Sequence, residues 1–338
     1  MKQIKKNNLE QAYDLMSQNA ELFLPMQHNR QSGFFSWKQR ATDDQVLLED
    51  LNTYLPAKTI LIPADEKLYK IHQQKNQVDV EPIFDKMGTS IIFGARSCDV
   101  EAIRCLDEVF LTRTYVDTPY QMRRNDNTIV ANACYQPGPN CFCQDMGIEP
   151  SSGSIADVVI KDLGDRYLWE SRTEKGEALS SLLGGLLENA TETAEPSVQA
   201  FTTRADFAGL PEQLPPMFEH DIWQEVGEPC SNCGICTFVC PSCYCFDIQV
   251  KMWGDEGYRF RCHDSCMFGE YSLMAGGHNP RPTGIERFRN RYLHKIEFFN
   301  ERYGHPLCTG CGRCIVQCPN GINIAQIINQ LKEAAANE

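Results

Sequence analysis

Apolar and polar positions in the first part of the chain alternate in a way that predicts mixed strands and helices. Residues 7–20 carry apolar side chains at helical spacing, which predicts an amphipathic helix. Residues 58–71 predict a short strand, a turn at Pro63 and a helix. The apolar run in 89–111 predicts a buried strand, followed by a helix that Asp99 caps.

The same alternation continues downstream. Residues 127–134 predict a second buried strand, 156–171 a hairpin and 175–188 a helix. This order of elements indicates an α/β layer over about the first 190 residues. We therefore expect an α+β protein, in which an N-terminal α/β domain precedes a cysteine-rich C-terminal domain.

Two polar, proline-bearing segments are candidate linkers, at 189–199 and 210–217. They divide the chain into an α/β domain at 1–195, a linker at 196–217 and a C-terminal domain at 218–338.

Composition and charge narrow the class of protein. The 338 residues are 42% hydrophobic and 23% charged, as in globular proteins. The net charge of −13 argues against nucleic acid as a partner. Apolar runs are too short to span a membrane, and the first residues lack the apolar stretch of a signal peptide. We expect a cytoplasmic protein that does not bind a membrane.

One basic stretch stands out in this acidic chain, at 281–295. It fits a solvated helix face, a docking patch or counter-charge beside anionic clusters. The sequence does not separate these three interpretations.

The chain contains 17 cysteines. An odd number of thiols in a reducing compartment does not fit a disulfide framework. Thiolates are ligands for zinc and for iron–sulfur clusters, so metal binding is the alternative.

A cysteine signature, C-x2-C-x2-C-x3-C-P, occurs twice. In this pattern three thiolates bind one [4Fe–4S] cluster and the fourth binds the neighbouring cluster. The pattern predicts two clusters with exchanged ligands: Cys230, Cys233, Cys236 and Cys318 for the first, and Cys308, Cys311, Cys314 and Cys240 for the second. Gly234 and Gly312 let the ligand loops approach the sulfides.

Zinc is the alternative metal for such thiols. Structural zinc sites usually use two CxxC pairs separated by a longer loop, and tandem cysteines followed by proline are atypical of them. The spacing therefore favours iron–sulfur clusters and electron transfer.

Four upstream cysteines form a candidate third site. Cys98 follows one predicted strand, Cys134 ends another, and Cys141 and Cys143 lie shortly after. The carboxyl ends of neighbouring strands meet at one edge of an α/β sheet, so these thiols are expected to converge and bind a third [4Fe–4S] cluster. Buried, unreactive cysteine is the alternative.

The remaining cysteines receive weaker interpretations. Cys243, Cys245 and Cys266 fit either another metal site or packing beside the clusters, and packing is favoured. Cys105 and Cys262 have no clear role. No catalytic residues and no nucleotide-binding motif are found in the sequence.

Several segments together resemble the iron–sulfur subunits of two related systems, anaerobic sulfite reductase and sulfhydrogenase, in which the corresponding chain is the β subunit of the latter. The resemblance runs from about residue 45 to 331 and is most specific in "SCMFGEYSLMAGGHNPR". The other segments are "IIFGARSCDVEAIRCLDEVF", "NCFCQDMG", "CPSCYCFDI" and "RNRYLHKIEFFNERYGHPLCTGCGRC".

This resemblance implies an electron-transfer subunit with a dicluster ferredoxin-like domain. It implies two partners, a ferredoxin-reductase-like subunit with FAD that meets NAD(P)H, and a catalytic subunit with sirohaem or a nickel–iron centre. The main expectation is electron transfer for sulfite reduction to sulfide, and the alternative is the β subunit of a sulfhydrogenase or NiFe hydrogenase. A stand-alone sulfur or sulfite reductase is a third hypothesis, for which the sequence offers no sirohaem ligands.

The family pattern matches the four upstream cysteines and also Cys243, Cys245 and Cys266, but not Cys105 or Cys262. His263 stands where the family has a large aromatic residue, so packing near Cys266 is expected to differ.

Overall fold

The computed structural model describes residues 1–75, 77–83, 88–190 and 194–337. It has the mixed α+β architecture expected from the sequence. The strands are β1 Lys2–Lys5, β2 Glu21–His28, β3 Gln31–Ser36, β4 Gln45–Val46, β5 Asp65–Gln74, β6 Gln77–Pro82, β7 Ser90–Arg96, β8 Asn127–Asn132, β9 Val158–Asp162, β10 Arg166–Ser171, β11 Glu188–Asn189, β12 Phe246–Trp253 and β13 Glu256–His263.

Helices surround the sheets and fill the C-terminal part. They are α1 Leu9–Asn19, α2 Lys58–Leu61, α3 Ser97–Leu111, α4 Thr118–Asn125, α5 Glu174–Leu183, α6 Leu210–Gln213, α7 Ile222–Gly227, α8 Ile235–Phe238, α9 Gly284–Leu293, α10 Phe299–Tyr303, α11 Arg313–Val316 and α12 Ile324–Ala336. A π-helical turn, His294–Phe298, connects α9 to α10.

The larger sheet has nine strands within the described residues, in the order β11-β1-β10-β9-β8-β7-β2-β3, with β4 paired to β2. Its centre is parallel, because β2 pairs with β7, β7 with β8 and β8 with β9 in the same direction. The carboxyl ends of β7 and β8 therefore lie at the same edge.

Each face of this sheet buries an apolar core. Tyr13 and Met16 of α1 pack on one face with Leu179 of α5. Ile103 and Leu106 of α3 pack on the other face. The helices expected at 7–20 and 175–188 and the hairpin at 156–171 are confirmed, and the second buried strand is β8.

The order of elements predicted for 58–71 is wrong. The short helix α2 comes first, and the strand β5 follows it. Polar side chains of β5 do not prevent strand formation, because β13 and β6 pair with its two edges. Tertiary hydrogen bonding has overridden local propensity here.

The smaller sheet, ordered β12-β13-β5-β6, is built from both halves of the chain. The hairpin of β12 and β13 lies in the segment of 67 residues between the cysteine signatures. Arg261 of β13 donates to Glu66 of β5 at 2.5 Å and to Asp117 before α4 at 2.7 Å. These buried ion pairs fix the insertion against the N-terminal half.

A separate core holds the C-terminal helices. Trp223, Phe288 and Ile328 from α7, α9 and α12 are buried in it together. Leu210 and Met217, inside the candidate linker, are also buried there. The boundaries at 195 and 218 stay a prediction, and the shared sheet and this burial bear on them.

The described helices were also compared with the dimensions of a bilayer. None of them combines the length and apolar character needed to cross a membrane.

Candidate metal centres

The first signature and one cysteine of the second line a common cavity. Cys230, Cys233 and Cys236 lie on the loop before α8 and in that helix, and Cys318 comes from the end of the second signature. Met267, Phe288 and Tyr292 supply the apolar wall. Cys233 is exposed, whereas the other three thiols are half-buried. This cavity brings together all four residues predicted for the first cluster.

The second signature forms a more deeply buried group. Cys314 lies within electrostatic range of Cys308, Cys311 and Cys240. Cys308 and Cys240 are both buried. The fold thus brings Cys240 to the second signature and Cys318 to the first, which is the exchange that the spacing predicts.

One glycine in each signature has a positive φ angle. Gly234 and Gly312 have φ values of 78° and 76° and immediately precede α8 and α11. A Cβ on Gly312 would lie 2.6 Å from the backbone oxygen of Asn140, and one on Gly234 would lie 2.7 Å from the Phe268 ring. Only glycine fits these tight approaches without displacement.

Two buried cations lie beside these thiols. The Lys295 Nζ lies 3.2 Å from the Cys240 Sγ and 3.3 Å from the Ser242 Oγ. The Arg291 Nη2 donates to the Cys236 carbonyl oxygen at 3.4 Å. No carboxylate of the described residues is within ion-pair distance of either cation. A buried cation without an anion is costly, so these cations fit anionic thiolate-bound groups.

Electrostatics of the thiols supports the same fit. Burial raises the pKa of Cys308 to about 11, and Lys295 opposes this effect. The pKa of Cys240 lies well below its usual range, because Cys243 hydrogen-bonds to it and because Lys295 and Lys58 are close. Burial lowers the pKa of Lys295, but the anionic forms of Cys240 and Cys243 outweigh it, so the net shift is upward.

The spacing of the thiols does not suit a single ion. Among residues 1–75, 77–83, 88–190 and 194–337, no three His, Cys, Asp or Glu side chains are close enough together to hold one metal ion. Structural zinc requires four ligands about 2.3 Å or less from one centre. Thiols that line a common space at wider separation fit a polynuclear iron–sulfur cluster.

The four upstream cysteines also lie together. Cys143 is within electrostatic range of Cys141 and Cys134, and Cys98 is within range of Cys143. Cys98 lies in the first turn of α3, directly after β7, and Cys134 follows the end of β8. Their meeting point is therefore the carboxyl edge of the parallel strands, where the sequence places them.

Asp99 does not cap α3. Arg96 is the N-cap residue and its side chain makes no capping bond. The Asp99 carboxylate instead accepts from both terminal nitrogens of Arg313 at 2.8 and 2.7 Å. A buried ion pair to the second signature takes the place of the predicted cap.

The upstream group packs directly on the second signature. Phe142 donates its backbone N–H to the Gly310 carbonyl oxygen at 2.9 Å. The Asn52 side chain donates to the Cys311 carbonyl oxygen at 2.9 Å, and the Cys141 Sγ lies 3.9 Å from the same oxygen. The two groups of thiols therefore share a wall.

The other cysteines have distinct surroundings. Cys243, Cys245 and Cys266 line a further cavity together. Cys105 packs with Phe299 and Leu307 in an apolar cluster. Cys262 lies on β13, and its Sγ is 3.9 Å from the Asp247 carbonyl oxygen.

Sequence reasoning missed most of the charged partners. Lys58, Arg313 and Asp99 are single residues in unremarkable contexts and give no sequence signal. Arg291 and Lys295 belong to the basic stretch 281–295, for which counter-charge beside clusters is one interpretation. Their burial beside thiols agrees with that interpretation for these two residues.

Residues 229–322 match the family model described as a 4Fe-4S dicluster domain. Together with the grouped thiols, this match defines the class: the chain is an iron–sulfur protein that transfers electrons. No solved structure matches it.

A curated relative narrows the assignment further. The chain is 30% identical over 330 residues to sulfhydrogenase 2 subunit beta of Pyrococcus furiosus, and the match covers 95% of each chain. The protein therefore belongs to the family of sulfhydrogenase beta subunits.

Proposed function

We propose that this chain relays single electrons through three [4Fe–4S] clusters within a sulfhydrogenase-type complex. The proposed ligands are Cys230, Cys233, Cys236 and Cys318 for the first cluster, Cys308, Cys311, Cys314 and Cys240 for the second, and Cys98, Cys134, Cys141 and Cys143 for the third. These clusters would supply one-electron redox chemistry.

The observation that carries this proposal is a continuous row of thiol groups. Cys314 lines the first-signature cavity, so the first and second groups are adjacent. Cys311 lies within electrostatic range of Cys98 and Cys141, so the upstream group continues the row. Exposed Cys233 is at one end and half-buried Cys134 at the other, which gives the row an end at two separate surfaces.

The surrounding residues have roles that follow from their charge. Lys295 and Arg291 stabilise added negative charge near the second and first groups. Arg313 with Asp99 holds the second signature against the upstream group. Apolar side chains such as Phe288 and Tyr292 keep water from the first-signature cavity. These residues tune and position a relay and do no substrate chemistry.

The comparison favours the hydrogenase-type alternative over sulfite reduction. The curated relative is a subunit of a sulfhydrogenase, and no comparison concerns sulfite. We propose partners of two kinds for this chain, a flavin subunit that meets NAD(P)H and a catalytic nickel–iron subunit. The proposed location of this complex is the cytoplasm.

The cluster content tests the proposal. Anaerobically purified full-length chain is expected to be brown, to bleach with dithionite, and to contain about twelve or more iron atoms with equal acid-labile sulfide. About eight iron atoms would contradict a third cluster. Zinc in place of iron would overturn the electron-transfer proposal.

Turnover separates a relay from an enzyme. With reduced viologen as electron donor, the isolated chain is expected to reduce neither sulfite nor polysulfide at a rate above that of buffer. Catalytic turnover of either compound by the chain alone would contradict the relay assignment and support a stand-alone reductase.

Paired variants test the exchange of ligands. Cys240→Ser is expected to alter the EPR signal of the second-signature cluster, and Cys318→Ser that of the first, because each residue serves the other signature's cluster. The reverse assignment of the two signals would contradict the proposed ligand sets.

A further inference from the structure

A cavity beside the second signature gathers three cysteines that the relay does not use. Cys243 and Cys245 follow the first signature directly, and Cys266 returns to the same place after the β12–β13 hairpin. Cys243 and Cys266 are buried, and Cys245 is half-buried. The three thiols come from two separate segments and converge on one space.

The wall that faces these thiols is cationic. Arg281, Arg291 and Lys295 line the cavity, and no carboxylate of the described residues lines it. Arg291 and Lys295 are only 3% and 2% exposed. Cysteines that serve only as packing are expected among apolar side chains. These surroundings instead suit a group with negative charge.

Two donors on this wall lack a partner within the described part of the chain. The Nε atoms of Arg281 and Arg291 are buried and make no hydrogen bond there. Unpaired buried donors are costly, so an acceptor such as a sulfide or thiolate fits the space in front of them. Tyr271 adds a hydroxyl that hydrogen-bonds to Cys245.

Lys295 lies on the boundary between this cavity and the second signature. Its Nζ lies 3.2 Å from the Cys240 Sγ, and its side chain also lines the cavity. The π-helical turn His294–Phe298 carries it, and such turns are frequent at functional sites. One cation can thus serve two neighbouring anionic groups.

We propose that Cys243, Cys245 and Cys266 bind a further [4Fe–4S] cluster, in which one iron lacks a cysteine ligand. Three thiolates fill three of the four ligand positions of such a cluster. Because the site adjoins Cys240, it forms a branch from the second cluster and does not extend the row. The inference rests on the iron–sulfur assignment of the proposed function.

Iron content of matched variants tests this site. Wild-type chain with all four clusters is expected to hold about sixteen iron atoms, and Cys266→Ser about twelve. Cys262→Ser is the control, because this thiol lies on the same strand-to-loop segment and does not line the cavity. The control is expected to keep the wild-type iron content.

Spectroscopy of the same variants excludes a folding artefact. Cys266→Ser is expected to retain the circular dichroism and the EPR signals of the first and second clusters, and to lose one signal. Cys243→Ser is the second test and is expected to lose the same signal. Variants that keep the wild-type iron content and all signals would overturn the further site.

The outcome distinguishes the two proposals. About twelve iron atoms that persist in Cys266→Ser would overturn the further site and leave the three-cluster relay intact. About twelve that fall to about eight in Cys266→Ser would support the further site and contradict the upstream cluster. A chain without iron would overturn both.

Discussion

The two cysteine signatures have the same spacing but lie in different surroundings. In the first, Cys233 is exposed and the cavity opens beside surface residues. In the second, Cys308 is buried and the loop packs against the N-terminal half through Phe142, Asn52 and the Arg313–Asp99 pair. Spacing therefore determines which thiols share a cluster, whereas the rest of the fold determines whether that cluster faces a partner or the interior.

The largest expected effect concerns the buried ion pair that only the second signature has. Arg313→Ala leaves the buried Asp99 carboxylate unpaired, which is expected to cost about 3–5 kcal/mol in the free energy of unfolding. The control is Arg204→Ala, because Arg204 is 70% exposed in its pair with Asp145. That change is expected to cost about 0–1 kcal/mol. Anaerobic urea unfolding measures both, and equal losses would contradict the account.

Equivalent glycines offer a matched pair of substitutions. Gly312→Ala and Gly234→Ala carry the same backbone strain, because their φ values are 76° and 78°. The new methyl meets the backbone of Asn140 in the first case and the movable ring of Phe268 in the second. Gly312→Ala is therefore expected to be about 1–3 kcal/mol more destabilising. Urea midpoints compare them, and a larger effect at Gly234 would refute this reasoning.

Removal of one buried cation is expected to shift a potential. Lys295→Met takes a positive charge from beside Cys240, so reduction of the second-signature cluster becomes harder by roughly 2 kcal/mol, on the order of 100 mV, at an effective dielectric constant near 20. EPR-monitored redox titration measures the shift, with Lys38→Met at an exposed site as the control. The first-signature cluster is expected to shift less. A more positive potential in Lys295→Met would contradict the assigned role.

The smallest expected difference is one of rate. On brief exposure to air, the first-signature EPR signal is expected to decay several-fold faster than the second, because Cys233 is exposed and Cys308 is buried. Samples withdrawn at intervals and reduced with dithionite give both decay rates. Faster loss of the second signal would show that burial does not protect it.

Local spacing explains why much of the site was predictable from the sequence. The ligand exchange depends on residues within short segments, and the two groups assemble as the spacing predicts. Cys98 and Cys134 converge because parallel strands place their carboxyl ends at one edge, which the alternation of strands and helices already indicates. Both inferences use geometry that a few neighbouring residues determine.

Long-range pairing explains what was missed. The sequence around strand β5 indicates a helix because its partner β13 lies nearly 200 residues away in sequence, and no local pattern signals that pairing. The Arg313–Asp99 pair links residues 214 positions apart. The charge environment of Cys243 and Cys266 likewise depends on Arg291 and Lys295, which a helix brings back to the cavity.

The central claim is that an upstream cluster continues the row beyond the second signature. The most direct measurement is EPR of the fully reduced chain, compared with the double variant Cys98→Ser/Cys134→Ser. The account predicts a loss of about four iron atoms. It also predicts that the second-signature signal loses magnetic broadening from its neighbour while the first-signature signal is unchanged. An unchanged iron content and an unchanged spectrum would contradict it.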